Sequence, residues 1–136
     1  MKIKLLDPEC KPYRKYDTDA GIDLRARESC IIYPGEAVKI PAGICVEIPT
    51  GHVGDISPRS SVSLQGLAIQ GKVDSGYTGE VGIIAINCVN KAIKITKGDR
   101  IAQLVVLPVE IGDMEIVEEL PESERGGKGF GSTGEK

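Results

Sequence analysis

Between Gly71 and Glu80 the chain reads GKVDSGYTGE, which places a carboxylate, Asp74, three residues before an aromatic ring, Tyr77. Glycines at 71, 76 and 79 leave this backbone bare enough for main-chain amides to touch a ligand. A carboxylate that can accept a proton, a ring that can stack and open backbone suit hydrolysis at a planar, polar small molecule. Taken alone, the stretch equally describes an exposed hairpin with a turn aspartate and a packing tyrosine. Only five aromatic residues occur, Tyr13, Tyr16, Tyr33, Tyr77 and Phe130. Tyr77 and Phe130 fall in glycine-rich segments instead of apolar strand patterns, an odd place for large apolar rings.

Other residues offer complementary chemistry. Arg59, Ser60 and Ser61 follow Pro58 where an extended run gives way to a short helix pattern. Helix-start amides, hydroxyls and a guanidinium make a phosphate site; an ordinary serine N-cap reads the same way. Asp23, taken alone, is a strand-end turn residue. Gln103 interrupts the apolar run Ile101 to Val106, so its amide either finds a buried partner or alternates out to solvent. Near the C-terminus GFGSTG, residues 129–134, matches GxGxxG literally. No βα unit follows it, and Gly134 precedes Glu135 where a Walker A loop needs lysine, so neither nucleotide fingerprint applies.

The elements that must position these groups are strands. Leu67-Gln70 and Val81-Val89 flank the Asp74 segment and make it a β-hairpin. Further strands are expected at Lys2-Leu6, Gly21-Ala26, Cys30-Tyr33, Ala37-Ile40, Ile44-Ile48, Val53-Ser57, Ala92-Ile95, Arg100-Val109 and Met114-Val117. Turn signals separate them at Pro34-Gly35, Pro41-Ala42-Gly43, Pro49-Thr50-Gly51 and Lys97-Gly98-Asp99. Such spacing predicts an all-β antiparallel sandwich or barrel, with one short helix over Ser60 to Gln65. From Pro121 the composition turns charged and glycine-rich, which predicts a core domain over 1–120 and a flexible arm over 121–136.

Composition excludes several classes. A 136-residue chain suits one domain, and a formal net charge of -3 supplies no basic field for nucleic acid. No apolar run reaches membrane-spanning length, and the start MKIKLLDPEC does not read as a signal peptide. Cys10, Cys30, Cys45 and Cys88 show neither CxxC nor zinc spacing and read as reduced thiols of a cytoplasmic protein. His52, the sole histidine, falls in an expected turn and reads as a surface residue.

AGIDL at 20–24, PRSS at 58–61, GKVDSGYTGE at 71–80, GDRIAQL at 98–104 and the arm from Arg125 to Gly134 occur in that order. Together they resemble the five motifs of the trimeric deoxyuridine triphosphate nucleotidohydrolases, the dUTPases, over nearly the whole chain. The resemblance implies a jelly-roll-like homotrimer that hydrolyses dUTP to dUMP and pyrophosphate, limiting uracil in DNA and supplying dUMP for thymidylate synthesis. It implies that Asp74 orients the water attacking the α-phosphorus, and that Tyr77 lies under the deoxyribose and excludes a 2'-hydroxyl. Backbone groups of Gly71, Lys72, Val73 and Gly82 would pair with the uracil edge. Arg59, Ser60 and Gln103 would reach the phosphates, and Asp23 would hold a water of a Mg²⁺ ion carried by them. Arg125 would meet the γ-phosphate, Phe130 would cover the uracil, and Gly131, Ser132 and Thr133 would cap the site. Three chains would share each site. Most relatives have glycine at the position of Ser61, which leaves the role of that hydroxyl open.

Two other readings compete. The dCTP deaminases share the fold, and Arg59-Ser60-Ser61 resembles their version of that motif. Their catalytic glutamate would fall at Ile84 and their active-site arginine at Leu64, and neither side chain moves a proton. A nucleotide-gated protein-binding module is the other, but such a chain should have lost Asp74, Tyr77 or the arm.

Overall fold

The computed structural model describes residues 1–132 and Gly134. Among these residues nine strands form in chain order: β1 (Lys2–Leu5), β2 (Gly21–Arg25), β3 (Cys30–Ile32), β4 (Ala37–Glu47), β5 (His52–Pro58), β6 (Leu67–Asp74), β7 (Glu80–Asn87), β8 (Ile93–Ile95) and β9 (Arg100–Pro108). One α-helix, α1 (Ser60–Leu64), joins β5 to β6. Seven strands make a curled antiparallel sheet in the order β1-β4-β7-β6-β5-β9-β2, and β3 pairs with β8 separately. The all-β expectation and the single short helix are both observed.

Period-two alternation does the sorting. In β6, Leu67, Ile69 and Val73 are buried while Ala68, Gln70, Lys72 and Asp74 face out. β7 sends Val81, Ile83 and Ala85 inward in the same way. The resulting core is almost purely aliphatic, with Leu24, Ile32, Ile40, Ile44, Ile48, Ile83 and Leu104 fully enclosed. All five aromatic side chains stay at the surface.

Three expectations need correction. Ala37-Ile40 and Ile44-Ile48 are not two strands divided by a turn: β4 runs through Pro41-Ala42-Gly43 with a register shift against β7 between Pro41 and Cys45. Gly43 takes the left-handed conformation there (φ 68°), and a Cβ would lie 2.6 Å from the Cys10 sulfur. Met114-Val117 forms no strand; Met114 and Ile116 are almost fully exposed and the segment pairs with nothing among the described residues. A strand needs a hydrogen-bonded neighbour, and the described residues offer that segment none. His52 is not in the turn but opens β5, its Nδ1 3.1 Å from the Thr50 carbonyl. A short 3₁₀ turn over Pro8–Cys10, capped by Asp7, had no expectation attached.

Asn87 ties the small sheet to the large one. Its buried amide donates to the carbonyls of Ile32 (2.9 Å) and Lys91 (2.8 Å), and its oxygen accepts from the Val89 amide (2.9 Å). Removing it strands one donor and two acceptors, the Ile32 carbonyl in a buried setting and the other two part-buried. We expect Asn87→Leu to lower stability by about 2–4 kcal/mol in urea denaturation; an unchanged midpoint would make this amide dispensable.

Candidate active site

The hairpin between β6 and β7 builds the first group. β6 extends through Asp74, so the tip spans only residues 75–79. A turn closes with the Tyr77 amide donating to the Asp74 carbonyl at 3.0 Å. Outward alternation puts Asp74 on the sheet face away from the core, and its carboxylate is exposed. Asp74, Tyr77, Lys72, Val73 and Gly82 line one cavity of about 250 Å³, with Ile84 and Lys39 on its wall. The tyrosine hydroxyl donates to the Glu80 carbonyl at 2.8 Å. Lys72 ion-pairs with Asp55 across β5 and β6, and Gly71 lies opposite Ile56.

The second group gathers where β2, β9 and β5 run side by side. Asp23 lies opposite Gln103, and Gln103 lies opposite Ser57, so their side chains share one face. One oxygen of Asp23 contacts Arg59 Nε at 3.3 Å and Arg100 Nη1 at 3.0 Å. Arg59 also donates to the Arg100 carbonyl at 3.1 Å. The Arg100 guanidinium lies over the Tyr13 ring, 4.4 Å from its centre. Tyr13 in turn exchanges backbone hydrogen bonds with Asp23, at 3.1 and 2.7 Å. Gln103 Nε2 is 3.5 Å from the Pro58 carbonyl, a long contact that leaves the amide available.

Arg59 occupies the N-cap position of α1 without capping it through its side chain, and Ser60 opens the helix, exposed. Ser61 lines a cavity of about 420 Å³ with Arg59, Arg100, Arg25 and Lys94. Four cations against one carboxylate, Asp99, leave the lining of this hollow positive, which suits a polyanion. Among the described residues no group of three or more His, Cys, Asp or Glu side chains converges into a metal cage.

The third group stands alone. Arg125, Lys128, Gly129 and Phe130 surround their own hollow in the arm. Arg125 Nε donates to the Lys128 carbonyl, and Ser132 Oγ accepts from the Gly129 amide. Phe130 is fully exposed with φ 51°, and Gly131 has φ 86°. Thr133 lies outside the described residues.

Within one chain these groups do not meet. Asp74 lies opposite Val53, whereas Arg59 follows the far end of β5, six residues on. At about 3.3 Å per residue that is roughly 20 Å. Groups serving the same phosphorus atom must stand within a few ångströms of it.

A family model described as dUTPase matches residues 9–134. The chain belongs to the dUTPase family. It is 45% identical over 126 residues to a deoxyuridine 5'-triphosphate nucleotidohydrolase of Anaeromyxobacter, covering 88% of this chain and 86% of that one. The homologue from Clostridium tetani is 44% identical over 139 residues, covering 98% and 96%. Among solved structures, the Staphylococcus bacteriophage 80alpha dUTPase with dUpNHpp matches at TM-score 0.89 and 35% identity, over 98% and 97% of the two chains. A mutant dUTPase from phage phi11 of S. aureus, described with a structural Mg(II) ion, matches at TM-score 0.80 and 31% identity, over 87% and 96%.

Against this family background, sequence reasoning overlooked Arg100 and Tyr13. Arg100 stands inside the GDRIAQL motif, so its position beside Gln103 was the available signal. Tyr13 left none, because its bridge to Asp23 is long-range. If Arg59 serves phosphate through its fork, Arg59→Lys keeps the charge but cannot reach Asp23 and the Arg100 carbonyl together. We expect affinity for inorganic pyrophosphate to fall about tenfold by calorimetry. Equal affinity would make that guanidinium a structural tie.

Proposed function

We propose that this chain is a dUTP diphosphatase, cleaving dUTP with water to dUMP and pyrophosphate. The observation that carries the reading is the hairpin cavity, where Asp74, Tyr77 and bare backbone line one hollow inside a chain of this family. Asp74 takes the proton of the water that attacks the α-phosphorus. Tyr77 walls the sugar, and the backbone of Gly71, Lys72, Val73 and Gly82 reads the uracil edge. Arg59, Ser60, Ser61 and Gln103 hold the phosphates on fixed elements, which is the larger part of catalysis at phosphorus. Asp23 would be the carboxylate nearest a Mg²⁺ ion carried by the triphosphate, and such an ion would supply charge neutralisation and orientation.

The separation of Asp74 from Arg59 supports a site assembled from several copies, and the reading is a homotrimer with shared sites. The arm, residues 121–136, closes last, with Arg125, Phe130, Gly131, Ser132 and Thr133 over the bound nucleotide. Ordering it costs conformational entropy that contacts with triphosphate and base must offset. Four free thiols support a cytoplasmic location. Deaminase chemistry has no support: Ile84 lines the hairpin cavity at the position where a glutamate would be required, and Leu64 is exposed on α1.

Pyrophosphate release from dUTP, dCTP, dTTP and UTP, assayed side by side with Mg²⁺, tests the assignment. Preference for dUTP is expected, and ammonia from dCTP would overturn it. Asp74→Asn should still bind dUTP yet turn over at least roughly 10²-fold more slowly, because an amide accepts no proton. Wild-type turnover would move the base elsewhere, with Asp23 next to be tried. Deleting residues 126–136 should leave the fold intact, since the last strand ends at Pro108. Hydrolysis should nonetheless drop by about 10²-fold. Full activity, with protease cleavage at Arg125 equally fast with and without a non-hydrolysable analogue, would make the arm passive.

A further inference from the structure

Tyr77 is half-exposed, so core packing does not hold its ring. Its hydroxyl is tied to the backbone carbonyl of Glu80, and Gly79 provides the space, since a Cβ there would lie 2.7 Å from the phenol oxygen. The ring is therefore no better fixed than the main chain at Glu80. That residue is clamped through its own carboxylate. Arg27 Nη1 reaches both oxygens, at 3.2 and 3.0 Å, and the Gly43 amide donates to one of them at 3.1 Å. Gly43 sits in the kink of β4, where its N–H has left the β7 ladder, so Glu80 supplies the acceptor the ladder no longer offers. Arg27 is itself pinned, its amide donating to the Pro41 carbonyl at 2.9 Å.

We propose that Glu80 and Arg27 are positioning residues for the Tyr77 ring, and that this brace sets discrimination at the 2' position of the sugar. The inference rests on the reading of Tyr77 as the sugar wall. A wall that must reject one hydroxyl works only while it stays within about 1 Å of its place. Freeing the Glu80 carboxylate lets the β7 end of the hairpin drift, and the ring drifts with the carbonyl that holds it. Arg27 lies outside the hairpin cavity, and Glu80, which lines its wall, has its carboxylate engaged by Arg27 and Gly43, so the loss should appear in selectivity more than in the chemical step.

The test compares kcat/KM for dUTP and UTP in Glu80→Gln, Arg27→Met, the double variant, Arg27→Lys and Tyr77→Ala, with thermal melts of each. Glu80→Gln and Arg27→Met should each lower the dUTP/UTP ratio by about tenfold. The double variant should fall no further than either single one, because both act on one interaction. Arg27→Lys, which keeps the cation, should recover most of the ratio. If Glu80→Gln fails to fold, the Arg27 pair carries the test, since Glu80 then still accepts from Gly43. A Tyr77→Ala enzyme that loses selectivity beside Glu80 and Arg27 variants that retain it would overturn the brace alone. Parallel loss on both nucleotides at a constant ratio would do the same. An unchanged ratio in Tyr77→Ala would overturn the wall itself, and the brace with it.

Discussion

The double-sided pairing of β5 fixes where everything chemical in this chain can stand. One edge binds β6 in register from Val53 opposite Asp74 to Ile56 opposite Gly71, and the other binds β9 along its whole length. Those ladders set the Asp74 hairpin at one end of the strand and the Arg59 turn at the other. A one-residue slip on either edge would drive Asp74 or Gln103 into the aliphatic core. At Gly54 a Cβ would lie 2.9 Å from Leu104, 3.0 Å from Ile48 and 3.2 Å from Val73, closer than van der Waals contact, so the core packs directly against the bare backbone of this strand. The separation of the two chemical groups is thus a property of the sheet and not of a mobile loop.

Electrostatics refines what the sheet positions. Asp23 is shared by two guanidiniums, and Arg100 is sandwiched between that carboxylate and the Tyr13 ring. The pairs are part-exposed, so each is worth little as a stability term. Their value lies in orientation. Arg59 arrives at the helix start already directed, held by Asp23 and the Arg100 carbonyl on the wall of the hollow it lines with Ser61.

Much of this was legible in the chain because the signals are local. Alternation in residues 67–74 and 80–87, together with glycines at the tip, defines the hairpin without knowledge of anything distant. The ordered motifs located Asp23, Arg59, Asp74 and Gln103, and the structure brings Asp23, Arg59 and Gln103 to one face. What escaped depends on contacts between residues far apart. The kink of β4 looks like a turn from Pro41-Ala42-Gly43, but its backbone is satisfied from a distance: Glu80, 37 residues on, accepts the Gly43 amide, and Leu6 and Arg27 donate to the Gly43 and Pro41 carbonyls. Arg100 meets Asp23 across 77 residues. Apolar periodicity likewise suggested a strand at 114–117, but pattern alone does not supply the neighbouring edge that a strand requires.

Among the described residues the buried side chains are Ile, Leu, Val, Ala and Cys apart from Asn87, and this has an optical consequence. With no tryptophan in the sequence and every tyrosine at the surface, the chain carries no chromophore that senses core packing. Near-ultraviolet dichroism and intrinsic emission should therefore be nearly silent to formation of the core. Tyr77 in the hairpin cavity and Tyr13, which lines a hollow with Asp23, Arg59 and Arg100, are instead placed as native reporters of what enters beside them.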